Sequence, residues 1–192
     1  QGGQPSTHIL KPPIHGVEDS VTNEGFCLAL ARAMKLPAAQ AQILDIAGRR
    51  FLLVARYDRQ TGTQGRVARL HQEDFCQALG IVPERKYAAE GGPTFKAGFD
   101  LLRRATTVPA VAVLAFLDAA IFNLIVGNAD AHGKNFSVLY QGADVSLAPF
   151  YDLLSTVVYP QLSPNLAMKI AKRGTLEEIG PTAWEEFAGD IG

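Results

Sequence analysis

The sequence is poor in charge and in cysteine. Charged residues make up 19% of its 192 positions, below the roughly 25% of ordinary soluble domains, while 47% are hydrophobic. Lysine and arginine number 18 against 19 acids, so no basic excess exists to drive generic nucleic-acid binding. The chain itself is therefore not expected to contact nucleic acid directly. Disorder is excluded by the same figures, because it requires few apolar residues and a high net charge, and here the formal net charge is −1. Two cysteines, Cys27 and Cys76, cannot build a disulfide scaffold in a chain of this length and read as core packing. No signal peptide is read at the start, so a reduced, cytoplasmic setting is expected. One long hydrophobic run exists, residues 108–127, but Asp118 and Asn123 lie inside it and no basic cluster flanks it. An acid at the bilayer centre costs roughly 2.5–3.5 kcal/mol, so the run is read as a helix buried on all sides within a lobe, not as a membrane span. Asp118 is expected to bond loop backbone.

What is present divides near residue 57. Residues 7–11 form a short extended run stopped by Pro12 and Pro13. Residues 22–35 read as a helix capped by Thr22 or Asn23, with Glu24, Cys27, Ala31 and Met34 on one face. Residues 42–47 and 51–57 read as a hairpin around Gly48, followed by an exposed loop over 58–65. Beyond that the pattern is helical: 71–79 ending at Gly80, then a helix from Pro93 to Arg104, then 109–126. Residues 72–74 are read as a solvated first helical turn. Strand-like runs follow at 136–140 and 145–148, and a helix at 181–190 that Trp184 is expected to anchor. The class is α+β: a small β-rich lobe over 1–57 and a larger helical lobe over 58–192.

Residues 127–135 read GNADAHGKN and are dense in groups that bind ions. Asp130 is followed five residues later by Asn135, and a second acid, Asp152, follows the strand-like runs. Phosphoryl transfer needs this set: one carboxylate to orient the attacking hydroxyl and accept its proton, and hard oxygens to hold magnesium against phosphates. The Asp-x4-Asn spacing with a later Asp is the order of kinase catalytic loops. Alone it is weak, since Asp and Asn also cap ordinary loops. Upstream, Lys11 ends a strand and Glu24 sits early on the next helix, the positions of a kinase lysine–glutamate pair.

Longer strings carry a family resemblance. They are STHILK at 6–11, NEGFC at 23–27, VARYDR at 54–59, RLHQEDFCQALG at 69–80, KY at 86–87, GGP at 91–93, GNADAHGKNF at 127–136 and PFYDLL at 149–154. In these the sequence resembles the catalytic region of HipA-type bacterial toxin kinases, the serine/threonine kinases of type II toxin–antitoxin operons. The resemblance implies a two-lobed kinase-like fold and Mg–ATP as nucleotide. It implies Asp130 as catalytic base, Asn135 and Asp152 as magnesium ligands, and Lys11 as the contact to the ATP phosphates. It places the hinge at Ala55 to Tyr57, with backbone groups holding adenine and Tyr57 packed beside it. His132 would brace the loop, and Lys134 would neutralise charge on the transferred phosphoryl group. It further implies a cytosolic protein substrate, with an aminoacyl-tRNA synthetase as the best-known type, and a DNA-binding antitoxin partner.

The sequence departs from that pattern in places. Asn128-Ala129 precede the loop acid in place of His-Arg, and Leu153-Leu154 follow Asp152 in place of Phe-Gly. No glycine-rich phosphate loop precedes the lysine strand. The chain is therefore expected to begin inside the small lobe and stop before the closing helices, with apolar patches exposed beside the lysine strand and the last helix. A non-catalytic binding module and a small-molecule phosphotransferase remain alternatives, as does a metal-dependent hydrolase built on Asp130, His132 and Asp152. His8, His15 and His71 have no partners at zinc spacing, and the Asn135-Phe-Ser137 sequon is a chance match.

Overall fold

The computed structural model describes residues 5–62 and 65–192. Strand β1 (His8–Lys11) leads to helix α1 (Ser20–Ala33), then to the hairpin of β2 (Ala41–Ile46) and β3 (Arg49–Ala55). Sheet order is β1-β3-β2, all antiparallel, with Lys11 opposite Leu52. The hairpin turns at Ala47-Gly48, both with positive φ, and the Asp45 carboxylate accepts the Gly48 N–H. Helix α1 begins two residues before the expected cap. Asn23 cannot serve as that cap because its side chain reaches across the molecule. Its Nδ2 donates to the Ser155 carbonyl at 2.9 Å and to Tyr159 Oη at 3.0 Å, while its Oδ1 accepts the Ser155 N–H at 2.8 Å. Glu24, Cys27 and Ala31 are buried as the periodicity predicts, but Met34 is exposed, because the helix ends there.

The chain leaves the small sheet through residues 55–59. Arg56 and Arg59 both grip Asp58, and the Arg56 N–H donates to the Thr7 carbonyl at 2.9 Å. Burial would push the Asp58 carboxyl up, but the two guanidiniums hold it below the ordinary carboxylate range. Part of the expected loop over 58–65 is a ladder of β4 (Arg59–Thr61) with β5 (Val67–Arg69), and residues 63–64 lie outside the described residues.

Residues 71–74, expected as a helical turn, form strand β6 (His71–Asp74). Tertiary pairing overrides local propensity here: β6 is antiparallel to β7 (Ser137–Gln141), which pairs in turn with β8 (Asp144–Leu147). A helix starts only at α2 (Phe75–Ala78), where Asp74 and Gln77 form a capping box. Helix α3 (Phe95–Ala105) is capped by Thr94, whose Oγ1 accepts the Ala97 N–H; Pro93 precedes the cap. Helix α4 (Pro109–Val126) follows, and a hairpin that the sequence did not suggest, β9 (Asn165–Ile170) with β10 (Arg173–Thr175), precedes α5 (Pro181–Ile191).

The large lobe is organised around Phe116 of α4. Its ring, fully buried, lies 4.8 Å from that of Phe99, 5.0 Å from Phe136 and 5.3 Å from Phe75. Phe187 carries α5 onto this cluster through Phe95 and Phe99, and Trp184 packs edge-on against Phe187.

Burial of α4 is one-sided. By length and composition it could cross a membrane, and a third of it, 33%, is buried. Val111, Leu114 and Ile125 are exposed, at 66%, 62% and 70%, and Asp118 is exposed too. An almost uniformly apolar helix has no sequence-legible inner face. Its polar link to the next loop is Asn123, whose Oδ1 accepts from Asn128 at 2.7 Å, in place of Asp118. Exposed apolar side chains also lie beside the lysine strand, at Ile9, Leu10 and Ile14, whereas α5 contributes none of the large ones.

Helices α3 and α4 approach where Gly98 meets the aromatic cluster. A Cβ there would sit 2.8 Å from a Phe116 ring carbon and 2.9 Å from Phe75. Gly98→Ala should therefore overpack a core that cannot yield and destabilise by about 1–3 kcal/mol in urea titration. Unchanged stability would show that the rings shift freely.

Candidate functional site

The loop after α4 is built by backbone constraint. Gly127 closes the helix at φ 72°, and a Cβ there would fall 2.3 Å from Val157. Only glycine meets both conditions. Its carbonyl accepts the N–H groups of Thr156 and Val157, and Thr156 Oγ1 accepts the Ala129 N–H at 2.8 Å. Asn128 Oδ1 accepts the Asp130 N–H at 3.1 Å. Further on, the His132 N–H donates to Asn135 Oδ1 at 3.0 Å, and the Asn135 N–H to the His132 carbonyl. Every turn of the loop is fixed, and Asp130 is left exposed at its bend.

Four of the sequence-selected side chains form one connected chain. Lys11 Nζ donates to Glu24 Oε1 at 2.6 Å and also to Asp152 Oδ1, while Asn135 Nδ2 donates to Asp152 Oδ2 at 3.1 Å. The contact joins β1 and α1 of the small lobe to the segment after β8 in the large one. Asp152 adopts a left-handed backbone, φ 55°, a region that aspartate enters more readily than most L-residues. Burial would lower the Lys11 pKa, but the Asp152 and Glu24 carboxylates override it and hold the ammonium charged. Glu24 is pushed up by its burial, against the pull of Lys11.

These residues line a cleft of about 950 Å³ together with Asp130, His132, Leu52, Lys86 and Tyr87. Burial holds the His132 imidazole below the ordinary histidine range; Asp130 opposes this and the Lys86 charge reinforces it. Its Nδ1 is buried without a hydrogen-bond partner among the described residues, and its ring meets Tyr87 edge-on at 5.4 Å.

The other sequence-selected residues stand apart. Lys134 is held by Asp74 at 2.6 Å and does not line the cleft. The Ala55 N–H is taken by the Gln40 carbonyl at 2.8 Å. Tyr57 stacks on Tyr151 at 5.8 Å and bonds Gln72, and neither Ala55 nor Tyr57 lines the cleft. Burial pushes both the Tyr57 and Tyr151 phenols up.

Sequence reasoning missed Asp74, Tyr151 and Thr156, which hold the loop through Lys134, the Lys134 carbonyl and Ala129. No spacing signal marked them, because each acts across a long sequence separation.

Asp152 is the cleft acid placed to meet a hard cation. Among the described residues no cluster of three or more His, Cys, Asp and Glu forms an all-protein metal cage. Asp152 offers carboxylate oxygens, whereas Asn135 turns its Nδ2 to Asp152 and its Oδ1 to the His132 N–H, so its amide would have to turn before its oxygen joined phosphate oxygens and water around magnesium.

Lys11→Met should leave Glu24 buried without its cation, at a cost of about 1–3 kcal/mol near neutral pH. An acid whose folded pKa lies above its unfolded one loses stability as pH rises from the unfolded value through the folded one. Without Lys11 the Glu24 pKa climbs further, so the variant's deficit should grow from about pH 4.5 upward and shrink in acid. Adding Glu24→Gln should flatten that dependence. A deficit independent of pH in thermal melts would contradict the pairing.

Comparison with known proteins shows the family and the fold. The profile of the HipA-like C-terminal domain matches residues 1–192. The protein Y4mE of Sinorhizobium fredii is 57% identical over 190 residues, covering 99% of this chain and 45% of that protein. The serine/threonine-protein kinase toxin HipA of Shewanella oneidensis is 34% identical over 183 residues, covering 88% of this chain and 41% of the toxin. The Shewanella HipA structure, solved with HipB and operator DNA, superposes with a TM-score of 0.91 at 32% identity, covering 97% of this chain and 46% of that one. The Helicobacter pylori kinase CtkA shares the fold at a TM-score of 0.67 and 13% identity, covering 96% of this chain and 73% of CtkA. The chain spans about half the length of the curated relatives it matches. It carries a kinase-like α+β fold and belongs to the HipA-like C-terminal domain family.

Proposed function

We propose that this chain is the catalytic region of an ATP- and magnesium-dependent serine/threonine protein kinase of a toxin–antitoxin pair. The observation that carries this reading is the connected set Glu24–Lys11–Asp152–Asn135 beside the exposed Asp130 in one cleft between lobes. ATP would lie with its phosphates at Lys11; Ala55 and Tyr57, which do not line the cleft, are left out of its site. Asp152 and Asn135 would hold magnesium, which supplies charge neutralisation on the phosphates. Asp130 accepts the proton of the acceptor hydroxyl. The acceptor oxygen bonds to the γ-phosphorus, and the bond to the bridging oxygen breaks with its electron pair leaving on ADP. His132 braces the loop through its backbone bonds and its packing on Tyr87.

The acceptor is a cytosolic protein, an aminoacyl-tRNA synthetase being the type the family resemblance suggests. A DNA-binding antitoxin is the partner suggested by the Shewanella structure with HipB. The balanced charge of this chain leaves DNA contact to that partner.

The test is γ-phosphate transfer by the full chain with Mg–ATP to itself or to a generic protein acceptor. Asp130→Asn should lower the rate by about 10²- to 10⁴-fold while preserving stabilisation by Mg–ATP in thermal melts. An unchanged rate would remove Asp130 from the role of base. A chain that neither transfers phosphate nor gains thermal stability from Mg–ATP would be a binding module instead.

A further inference from the structure

Phosphoryl transfer spreads negative charge over the non-bridging oxygens of the group in flight, and a cation at that point gives much of the rate. Lys11 is paired with Glu24 and Asp152, and Lys134 is paired with Asp74 at 2.6 Å and does not line the cleft. Lys86 lines the cleft with Asp130 and His132 and enters no ion pair among the described residues.

Its position is built. The Lys86 ammonium lies 4.9 Å from the centroid of the Tyr87 ring, a cation–π contact that restrains a flexible side chain, and the Tyr87 ring meets the His132 ring edge-on at 5.4 Å. The Lys86 carbonyl accepts the Gly133 N–H at 3.3 Å, tying the segment to the Asp130 loop. The turn that follows folds back tightly: the N–H groups of Glu90 and Gly92 both donate to the Tyr87 carbonyl. A Cβ on Gly92 would lie 2.3 Å from the Arg85 carbonyl oxygen, and one on Gly133 would lie 2.4 Å from the Pro93 ring. The string at 91–93 is thereby explained sterically, as the clamp that presses residues 86 and 87 onto the catalytic loop.

We propose that Lys86, seated on Tyr87, is the catalytic cation that meets the transferred phosphoryl group, and that Lys134 fixes the loop to β6 through Asp74. The assignment rests on the kinase reading above. Lys86 keeps its proton throughout and donates hydrogen bonds to the non-bridging oxygens, while the acceptor proton goes to Asp130. Burial and the neighbouring Asp130 carboxylate raise the Tyr87 phenol, which therefore stays protonated as a donor beside the base.

The experiment compares the full chain with Lys86→Met and Lys86→Arg. Turnover and the KM for ATP are measured, together with thermal stabilisation by Mg–ADP alone and by Mg–ADP with aluminium fluoride, a mimic of the group in flight. Lys86→Met should lower kcat by about 10²-fold with little change in KM and lose the increment that aluminium fluoride adds. Lys86→Arg should restore part of both. If Lys86→Met keeps the increment and the turnover, the lysine assignment falls while the kinase reading stands. Loss of the increment in Lys134→Met but not in Lys86→Met would give the role to Lys134 and overturn the proposal. If the unaltered chain transfers no phosphate and is not stabilised by Mg–ADP, the kinase reading falls and the assignment with it.

Discussion

The contact of Lys11 with Glu24 and Asp152 is what the rest of the cleft depends on. Each of the three residues belongs to a different element: the end of β1, the second turn of α1, and the segment after β8. Glu24 is buried and costs free energy unless a cation meets it, so α1 is positioned by electrostatics as much as by packing. Asp152 in turn orients Asn135, which holds the backbone of His132 and so shapes the bend carrying Asp130. One ammonium thereby connects the small sheet to the geometry of the loop acid. The same three charges would rearrange around a nucleotide, since Lys11 cannot serve phosphate and both carboxylates at full strength at once.

Much of this was legible in the sequence where the determinants are local. The strand at Lys11, the hairpin at Gly48, the end of α4 at Gly127 and the Asp130–Asn135 spacing all follow from residue types within a few positions of one another. The failures share one cause. Residues 71–74 look helical in isolation and become a strand because β7 offers them a ladder. Asn23 looks like a cap and instead reaches Ser155. Lys134 reads as a site cation, but Asp74, distant in sequence, takes it. Long-range partners decide these cases, and no window of sequence contains them.

The strings that carried the family resemblance also divide by physical role. Within GNADAHGKN, Asp130, His132 and Asn135 line the cleft, whereas Gly127 and Gly133 of the same string, like Gly92, sit where a Cβ would meet Val157, the Pro93 ring or backbone carbonyls. The first kind of residue is specified by chemistry and the second by excluded volume. Both produce rare strings, so a recognisable motif by itself does not say which residues touch a substrate.

The small lobe is attached to the large one at more than the crossing over residues 55–59. The Ala39 N–H donates to the Phe150 carbonyl at 2.8 Å, the Phe150 N–H to the Pro37 carbonyl at 2.7 Å, and Asn23 clasps residues 155 and 159. A body joined to another through a single strand keeps three rotational degrees of freedom. A second fastening at a separate point leaves one, rotation about the line through both, and a third off that line leaves none. While all three hold, the cleft keeps its shape, and a change in its width requires one of these polar contacts to break first.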